Sequence, residues 1–342
     1  MASVVNSSVP RSVTEGDPGP AGHRRKSTGR RIWESRSAYV LMLPGLILIV
    51  LFSIYPIVMS WYYSFFDWDG FSTGQHFIGL GNYRELLQDA FFWRAFGRSA
   101  VFAAVATPIE LGLSLLVAMV LNDKLLRGRT IYRTMFFVPV VTTTAIVGIV
   151  MSFVFSAFNG PVNQVLMLLH VTSKPIDFLG DPSTVLWAAI GIFVWKWFGQ
   201  PMIYWLAGLQ SISGELYEAA KIDGATPRRS FFNITLPLLA PFAAMITIIV
   251  VVGNLQVFAF MQTLTGGGPF FSSEVMELYI YRMAFGASTG GVSGAAQRLG
   301  YASAAGVLFG LTLMIFGIAQ VLLVRRLRRG SGGNGSDKGA KS

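Results

Sequence analysis

The chain has 342 residues, of which 53% are hydrophobic and only 13% are charged, and this composition excludes an ordinary soluble domain and indicates an integral membrane protein. The formal charge of +10 does not indicate a nucleic-acid-binding protein, because the basic residues lie beside apolar runs and do not alternate with aromatic residues on one face. The absence of cysteine excludes a disulfide framework, a thiolate metal site and a cysteine nucleophile.

The chain begins with a polar segment, residues 1–37, which is rich in Pro, Ser, Gly and Arg and is predicted to be a disordered basic tail. It holds no apolar stretch of the kind that a cleavable signal peptide needs. A second basic tail, also predicted to be disordered, is expected at 325–342. The membrane domain is predicted between them, at 38–324, where six apolar runs reach the roughly 20 residues that cross a bilayer. These runs are Ala38–Ser60, Phe96–Leu121, Tyr132–Phe158, Val185–Leu209, Leu236–Phe260 and Ala302–Val324.

The distribution of basic residues predicts the orientation of the chain. Six spans place both ends on one side of the membrane. Most of the 27 lysines and arginines fall in the two tails and in the loops that would share their side. Basic residues favour the cytoplasmic side of a membrane. Both termini and the loop 210–235 are therefore expected in the cytoplasm.

The polar loop 210–235 is predicted to form a short helix, a turn and a second short helix. Ser213 is a suitable N-cap for the first helix, and Gly224 can end that helix in a left-handed conformation. Thr226 can cap the second helix, with Pro227 at its first position, where a missing N–H costs nothing. From composition alone, this segment would be an ordinary polar connection.

The residue spacing in this loop resembles the EAA loop of binding-protein-dependent ABC importer permeases. The matching residues are Glu218, Ala219, Ala220, Gly224, Ile234, Leu236 and Pro237. In that family the loop forms a coupling helix that docks into a cleft on a separate cytoplasmic ATPase. The resemblance therefore implies an ATPase-coupling role for the residues Glu218, Ala219, Ala220, Lys221, Asp223 and Gly224.

The resemblance extends over most of residues 38–324 and is closest to the carbohydrate-uptake branch, the MalF-like sugar permeases. Similar stretches are Phe77–Tyr83, Leu125–Pro139, Leu264–Pro269, Tyr279–Phe285 and Gly300–Ala304. Two departures are visible: Ser213 replaces a usual proline, and the large additional periplasmic domain of MalF is absent.

This likeness implies an all-α permease of the type I importer fold, with six transmembrane helices, in the cytoplasmic membrane of a bacterium. It implies four kinds of partner or ligand: a second permease of similar fold, two copies of a cytoplasmic ATPase, an extracytoplasmic binding protein, and a sugar or related polyol. ATP and Mg²⁺ would be used by the ATPase, and no cofactor is expected on this chain.

No residue is assigned a catalytic or metal-binding role. The run Gly266–Gly268 is not a phosphate-binding loop, because neither Lys-Ser nor Lys-Thr follows it. The three histidines, His23, His76 and His170, are too dispersed for a metal site, and no HExxH or GxSxG sequence occurs. The chain is therefore not expected to be an enzyme.

Four polar residues inside the predicted spans are candidates for the substrate path. Glu110 and Lys196 lie near the middle of two spans, where each charge costs roughly 2.5 to 3.5 kcal/mol on insertion. They could pair with each other or face the path. Asn254 and Gln256 lie in the fifth predicted span, which the resemblance implies lines the sugar cavity. Amides suit hydroxyl groups, although hydrogen bonds between helices are an equal alternative.

Two other functions are consistent with a hydrophobic chain of this kind. A self-contained secondary transporter or channel would need inverted repeats or acidic residues for ion coupling, and only Glu110 is available. A membrane anchor for an assembly would need no amides in the fifth span. The resemblance favours the importer permease over both.

Overall fold

The computed structural model describes the backbone of residues 36–123, 125–286 and 296–332, and the side chains of residues 40–123, 125–286 and 296–322. This part of the chain is almost entirely helical, as predicted, and its strands are limited to one two-stranded antiparallel sheet. The predicted N-terminal tail lies outside the described residues except for its last two positions.

The chain divides into two compact units, Met1–Pro56 and Ile57–Ser342. The described part of the first unit is helix α1 (Arg36–Ile49), a π-helical segment (Val50–Ile54) and the start of α2 (Tyr55–Tyr63). These elements follow one another without a break.

The elements of the second unit begin with strands β1 (Phe66–Asp67) and β2 (His76–Phe77), in which Phe66 is opposite Phe77. The helices that follow are α3 Gly81–Gln88, α4 Ala90–Asn122, α5 Arg129–Val141, α6 Thr144–Val154, α7 Pro161–Leu168, α8 Val185–Trp197, α9 Gly199–Gln210, α10 Gly214–Ile222, α11 Pro227–Ser230, α12 Leu236–Leu255, α13 Phe258–Leu264, α14 Met276–Phe285 and α15 Leu299–Gly332. A second π-helical segment, Phe231–Thr235, joins α11 to α12.

Four helices in the described part of the chain are long and apolar enough to cross a membrane: Val40–Tyr63, Ala90–Asn122, Pro227–Leu255 and Leu299–Leu322. Helices α5 and α6 are a fifth candidate, bent by 97° at the break between them. The fourth predicted run, Val185–Leu209, is divided between the shorter helices α8 and α9. The described chain therefore contains four such spans, or five with the bent pair.

Two predicted boundaries are wrong. The fifth run was expected to continue to Phe260, but the helix ends at Leu255 and Gln256 has φ −109° and ψ 70°. The tail predicted to be disordered from residue 325 is helical as far as Gly332. Arginine and leucine are good helix formers, and arginine is favourable near a helix C-terminus, so the last span continues into the basic sequence that follows it.

Helix α4 is central to the second unit, because it contacts α8, α9, α12 and α14. Many of its buried side chains are small, and these recur along one face: Ala95, Ser99, Ala103, Ala106, Ser114 and Ala118. The larger Phe92, Phe102 and Leu121 are buried as well. Small residues at this spacing let transmembrane helices approach closely. Glu110 is the one charged residue among the buried side chains of α4, and it marks the level at which the helices enclose a cavity.

A hydrogen-bonded cluster fixes the first turn of α4 to α14 and α15. Asp89 caps α4 by accepting from the Phe91 N–H over 2.7 Å, and its Oδ2 accepts from the hydroxyls of Tyr279 at 2.5 Å and Tyr301 at 2.7 Å. Burial alone would raise the pKa of Asp89, but these hydrogen bonds outweigh it and lower the pKa. The carboxylate is therefore ionised and holds three helices together.

Candidate functional site

The fifth predicted span contains a break, and the candidate site lies beside it. Gln256 and Val257 are not helical, and α13 begins at Phe258. The Phe258 N–H donates to Glu277 Oε2 of α14 over 2.6 Å, and the Val257 N–H also bonds this carboxylate. A carboxylate at a helix N-terminus satisfies the free N–H groups and complements the helix dipole. Glu277 therefore stabilises the start of α13.

A cavity of about 380 Å³ lies between α4, α6, α8, α9, α12 and α13. Its polar lining consists of amides, hydroxyls and one carboxylate, and its apolar lining includes aromatic rings. The residues that define this character are Glu110, Thr144, Phe193, Trp197, Gln200, Tyr204, Asn254 and Gln256. Clefts of this volume that combine apolar walls with a few polar groups are typical of small-molecule sites.

Two predicted path residues, Glu110 and Asn254, meet at the cavity wall. The Asn254 amide donates to Thr107 Oγ1 over 3.0 Å and also hydrogen-bonds the Glu110 carboxylate. Glu110 is 3% exposed and Asn254 is 2% exposed. Asn254 therefore has both of the features considered from the sequence, since it lines the cavity and joins two helices.

Gln256, in contrast, lies in the break itself. Its backbone N–H bonds the Gly253 carbonyl over 3.1 Å, and its side chain is exposed to the cavity. No hydrogen bond of this side chain to another described residue is seen. Its amide is available to a bound molecule.

The alternative in which Lys196 pairs with Glu110 is wrong. The Lys196 Nζ donates to the carbonyls of Pro139 at 3.1 Å and Thr142 at 2.9 Å, with Val140 O at 3.4 Å. These carbonyls lie at the break between α5 and α6, where the helical hydrogen bonds end. An ammonium has three donors, and inside a membrane free carbonyls need a donor. Lys196 therefore supplies the hydrogen-bond donors that the carbonyls at this break need. It is not among the described residues that line the cavity.

Sequence reasoning missed a polar and aromatic face on α8 and α9. Phe193, Trp197, Gln200 and Tyr204 recur every three or four residues and all line the cavity. The Gln200 Nε2 donates to the Tyr204 hydroxyl over 3.1 Å, whereas the buried Trp197 Nε1 has no partner among the described residues. The helical spacing of polar residues among apolar ones was the signal that could have identified this face. Glu277 had no such signal, because it acts on a backbone 19 residues away.

The loop between α9 and α12 has the predicted local structure. Ser213 accepts from the Glu215 N–H and Thr226 from the Arg229 N–H, each over 3.3 Å. Gly224 has φ +72°. The Gly224 and Ala225 N–H groups bond the carbonyls of Lys221 and Ala220 at 3.1 and 2.8 Å, which is the Schellman pattern that ends a helix at a left-handed glycine.

This helix-turn-helix, Gly214–Ser230, is called the coupling loop below. Six of its neighbouring positions were predicted to face a partner: Glu218, Ala219, Ala220, Lys221, Asp223 and Gly224. All are exposed except Ala220, which is half-buried. Ile222 is 87% exposed. The Tyr217 hydroxyl lies 2.9 Å from Thr235 Oγ1, so α10 is attached to the base of the long helix Pro227–Leu255.

Comparison with known proteins gives consistent matches. Residues 110–329 match the family described as "Binding-protein-dependent transport system inner membrane component". The chain is 33% identical over 267 residues to the probable ABC transporter permease protein YurN of Bacillus subtilis, covering 78% of this chain and 88% of that protein. It is 35% identical over 254 residues to the lactose transport system permease protein LacF of Rhizobium radiobacter, covering 73% and 83%.

A solved structure has the same fold. It is a bacterial alginate ABC transporter in complex with an alginate pentasaccharide-bound periplasmic protein, and one of its chains superposes with a TM-score of 0.73. The sequences are 24% identical, and the alignment covers 88% of this chain and 98% of that chain. At this identity the likeness establishes the fold alone.

Proposed function

Because this chain belongs to the family of binding-protein-dependent transport system inner membrane components, we propose that it is the permease subunit of an ATP-driven importer for a sugar or related polyol. The observation that carries this proposal is one continuous helix, Pro227–Leu255, of 29 residues. It begins in the coupling loop and ends at Leu255, one residue beyond Asn254, which lies on the cavity wall. An α-helix rises about 1.5 Å per residue, so a helix of this length reaches from the membrane surface to the cavity. It can therefore transmit a displacement at the surface to the substrate site.

The cavity has the chemistry that a polyhydroxylated molecule needs. The amides of Gln200, Asn254 and Gln256 can both donate and accept, as hydroxyl groups require. The rings of Phe193 and Trp197 supply large apolar faces, against which the C–H face of a sugar ring can pack. The unwound backbone at Gln256 adds polar groups at mid-helix, where discontinuous helices of transporters commonly bind substrate.

We further propose that α8 and α9 make one crossing, which gives six spans in all with the bent pair. The Phe198 N–H bonds the Val194 carbonyl over 2.9 Å, and the Met202 N–H bonds the Phe198 carbonyl over 3.2 Å. Helical hydrogen bonds therefore run through the junction. An even number of spans, with the basic residues inside, puts both termini in the cytoplasm.

The proposed assembly contains a second permease of similar fold, two ATPase subunits and an extracytoplasmic binding protein. ATP and Mg²⁺ belong to the ATPase subunits, and this chain binds no cofactor. Closure of the ATPase dimer would displace α10, and the Tyr217–Thr235 contact would pass this movement to the helix Pro227–Leu255. The cavity would then open to the binding protein and receive its sugar.

Gln256→Ala is expected to lower ATP-driven sugar uptake by about tenfold without lowering assembly, because two lost hydrogen bonds to hydroxyls amount to about 1 kcal/mol or more. Asn254→Ala should lower both uptake and assembly, since it also removes the hydrogen bond to Thr107. Uptake and co-purification are measured on the complex reconstituted with its ATPase and binding protein, with Gln75→Ala in an exposed loop as control. Normal uptake by Gln256→Ala would show that Gln256 is not part of the substrate path. Uptake driven by an ion gradient in the absence of the ATPase would favour a secondary transporter.

A cysteine at Thr73 and one at Ala219 test the orientation, because the native chain has no cysteine. Both positions are exposed, and they lie on opposite sides of the membrane in the proposed topology. In intact cells an impermeant thiol reagent should modify the Thr73→Cys variant and leave the Ala219→Cys variant unmodified until the cells are permeabilised. Modification of Ala219→Cys in intact cells would contradict a cytoplasmic coupling loop.

A further inference from the structure

Glu110 is the sole formally charged residue among the described residues that line the cavity. Its side chain is 3% exposed and receives a hydrogen bond from Asn254. Its Oε2 has no hydrogen-bond partner in the described part of the chain. A buried acceptor without a donor is unfavourable, so a donor on a bound molecule would be stabilised at this atom.

No cation in contact with the cavity compensates this carboxyl group, within the described residues. Lys196 is the basic residue nearest to the lining in sequence, but its ammonium is fully buried and bonded to carbonyls at the α5–α6 break. The indole ring of Trp197 lies 4.3 Å from the Lys196 Nζ, and Trp197 itself lines the cavity. Trp197 therefore lines the cavity at this position and Lys196 does not.

We propose that Glu110 determines the charge selectivity of the cavity, which accepts saccharides that offer hydroxyl or ammonium donors and disfavours those that carry a carboxylate or phosphate. This inference rests on the proposed sugar transport and specifies its substrate class. An anionic group would lie beside a carboxylate where the low dielectric strengthens repulsion. It would also leave the Glu110 Oε2 without a donor.

A charged-reagent experiment tests the field in the cavity without any sugar. A cysteine is introduced at Ala259, which lines the cavity and is exposed, in the otherwise cysteine-free chain. In the complete importer in nanodiscs, its rates of modification by a cationic and by an anionic methanethiosulfonate reagent are compared at about pH 8.5, well above the pKa of an ordinary carboxyl group. The ratio of the cationic to the anionic rate should be about tenfold higher at this cysteine than at a cysteine placed at Thr73. The reason is that a cleft lined by charge of one sign concentrates counter-ions.

Glu110→Gln should remove most of this preference, because the amide keeps an acceptor of the same shape but no charge. Asp67→Asn is the matched control, since Asp67 is exposed on β1 and is not among the described lining residues; it should leave the preference unchanged. An unchanged preference in Glu110→Gln would overturn the inference.

The second arm uses three sugars that differ chiefly in charge: glucose, glucosamine and glucuronate. Each is tested for slowing the reaction of the introduced cysteine with the uncharged reagent N-ethylmaleimide. The concentration of glucuronate that gives equal protection should be about tenfold higher than that of glucose. Glu110→Gln should reduce this difference in concentration. Equal protection by glucuronate and glucose in the Ala259→Cys protein that keeps Glu110 would also overturn the inference. If no sugar protects while the charged reagents behave as expected, the proposed sugar transport fails and the charge selectivity of the cavity stands.

Discussion

Gly224→Val is expected to abolish uptake while the chain still enters the membrane. Gly224 ends α10 with φ +72°, a conformation that a β-branched residue adopts only with backbone strain of about 1 to 3 kcal/mol. A Cβ placed there meets no atom within 4 Å, so the effect comes from the backbone and not from a collision. Relief of the strain would unwind the Schellman turn and redirect α10. The backbone hydrogen bonds of the spans are made within the helices or to side chains such as Lys196 and Glu277, so the spans do not depend on this turn.

Gly214→Val is the matched control, because Gly214 is also exposed, has an unobstructed Cβ position and lies in the helical region at the start of α10. The two variants are compared for membrane content, co-purification of the ATPase and uptake. Loss of ATPase binding and uptake in Gly224→Val alone is the expected result. If Gly224→Val transports as well as Gly214→Val, the geometry of this turn does not couple the ATPase to the cavity.

The two short helices of the coupling loop and their capping residues could be predicted because they depend on neighbouring residues. Ser213, Gly224 and Thr226 act on backbone groups two or three positions away. Caps of this kind have the same geometry in any protein. The location of the long apolar helices was also predictable, since length and hydropathy are local properties of the sequence.

The breaks in the helices could not be predicted by the same means, because they are stabilised by distant residues. Gln256 lies in an apolar run that continues to Phe260, and nothing nearby in sequence indicates that Glu277 accepts the N–H groups beyond the break. The 97° bend between α5 and α6 likewise depends on an ammonium more than fifty positions away. Hydropathy indicates whether a segment is buried in lipid or protein. It does not indicate where the hydrogen bonds of a helix stop and bonds to distant residues replace them.

The candidate site was only partly predictable, because its polar residues are visible in the sequence but their partners are distant. Charges inside apolar runs are costly and therefore conspicuous, which identified Glu110 and Lys196 as functional or structural residues. Asn254 and Gln256 were identified through the resemblance of the fifth run to sugar permeases. Their partners depend on the fold. The structure brings Glu110 and Asn254 together at the cavity and places Lys196 behind Trp197, at the carbonyls of another helix pair.

Lys196→Met should destabilise the assembled protein more than any change in the cavity lining. The substitution keeps an unbranched side chain but leaves the carbonyls of Pro139 and Thr142 without their donor, and an unsatisfied backbone group inside a membrane costs several kcal/mol. Thermal stability and the yield of assembled complex are measured, with Lys174→Met at an exposed position as control. A large loss of both is expected for Lys196→Met alone. Normal assembly with abolished uptake would instead place the Lys196 ammonium in the substrate path, and normal assembly with normal uptake would show that the α5–α6 break does not need it.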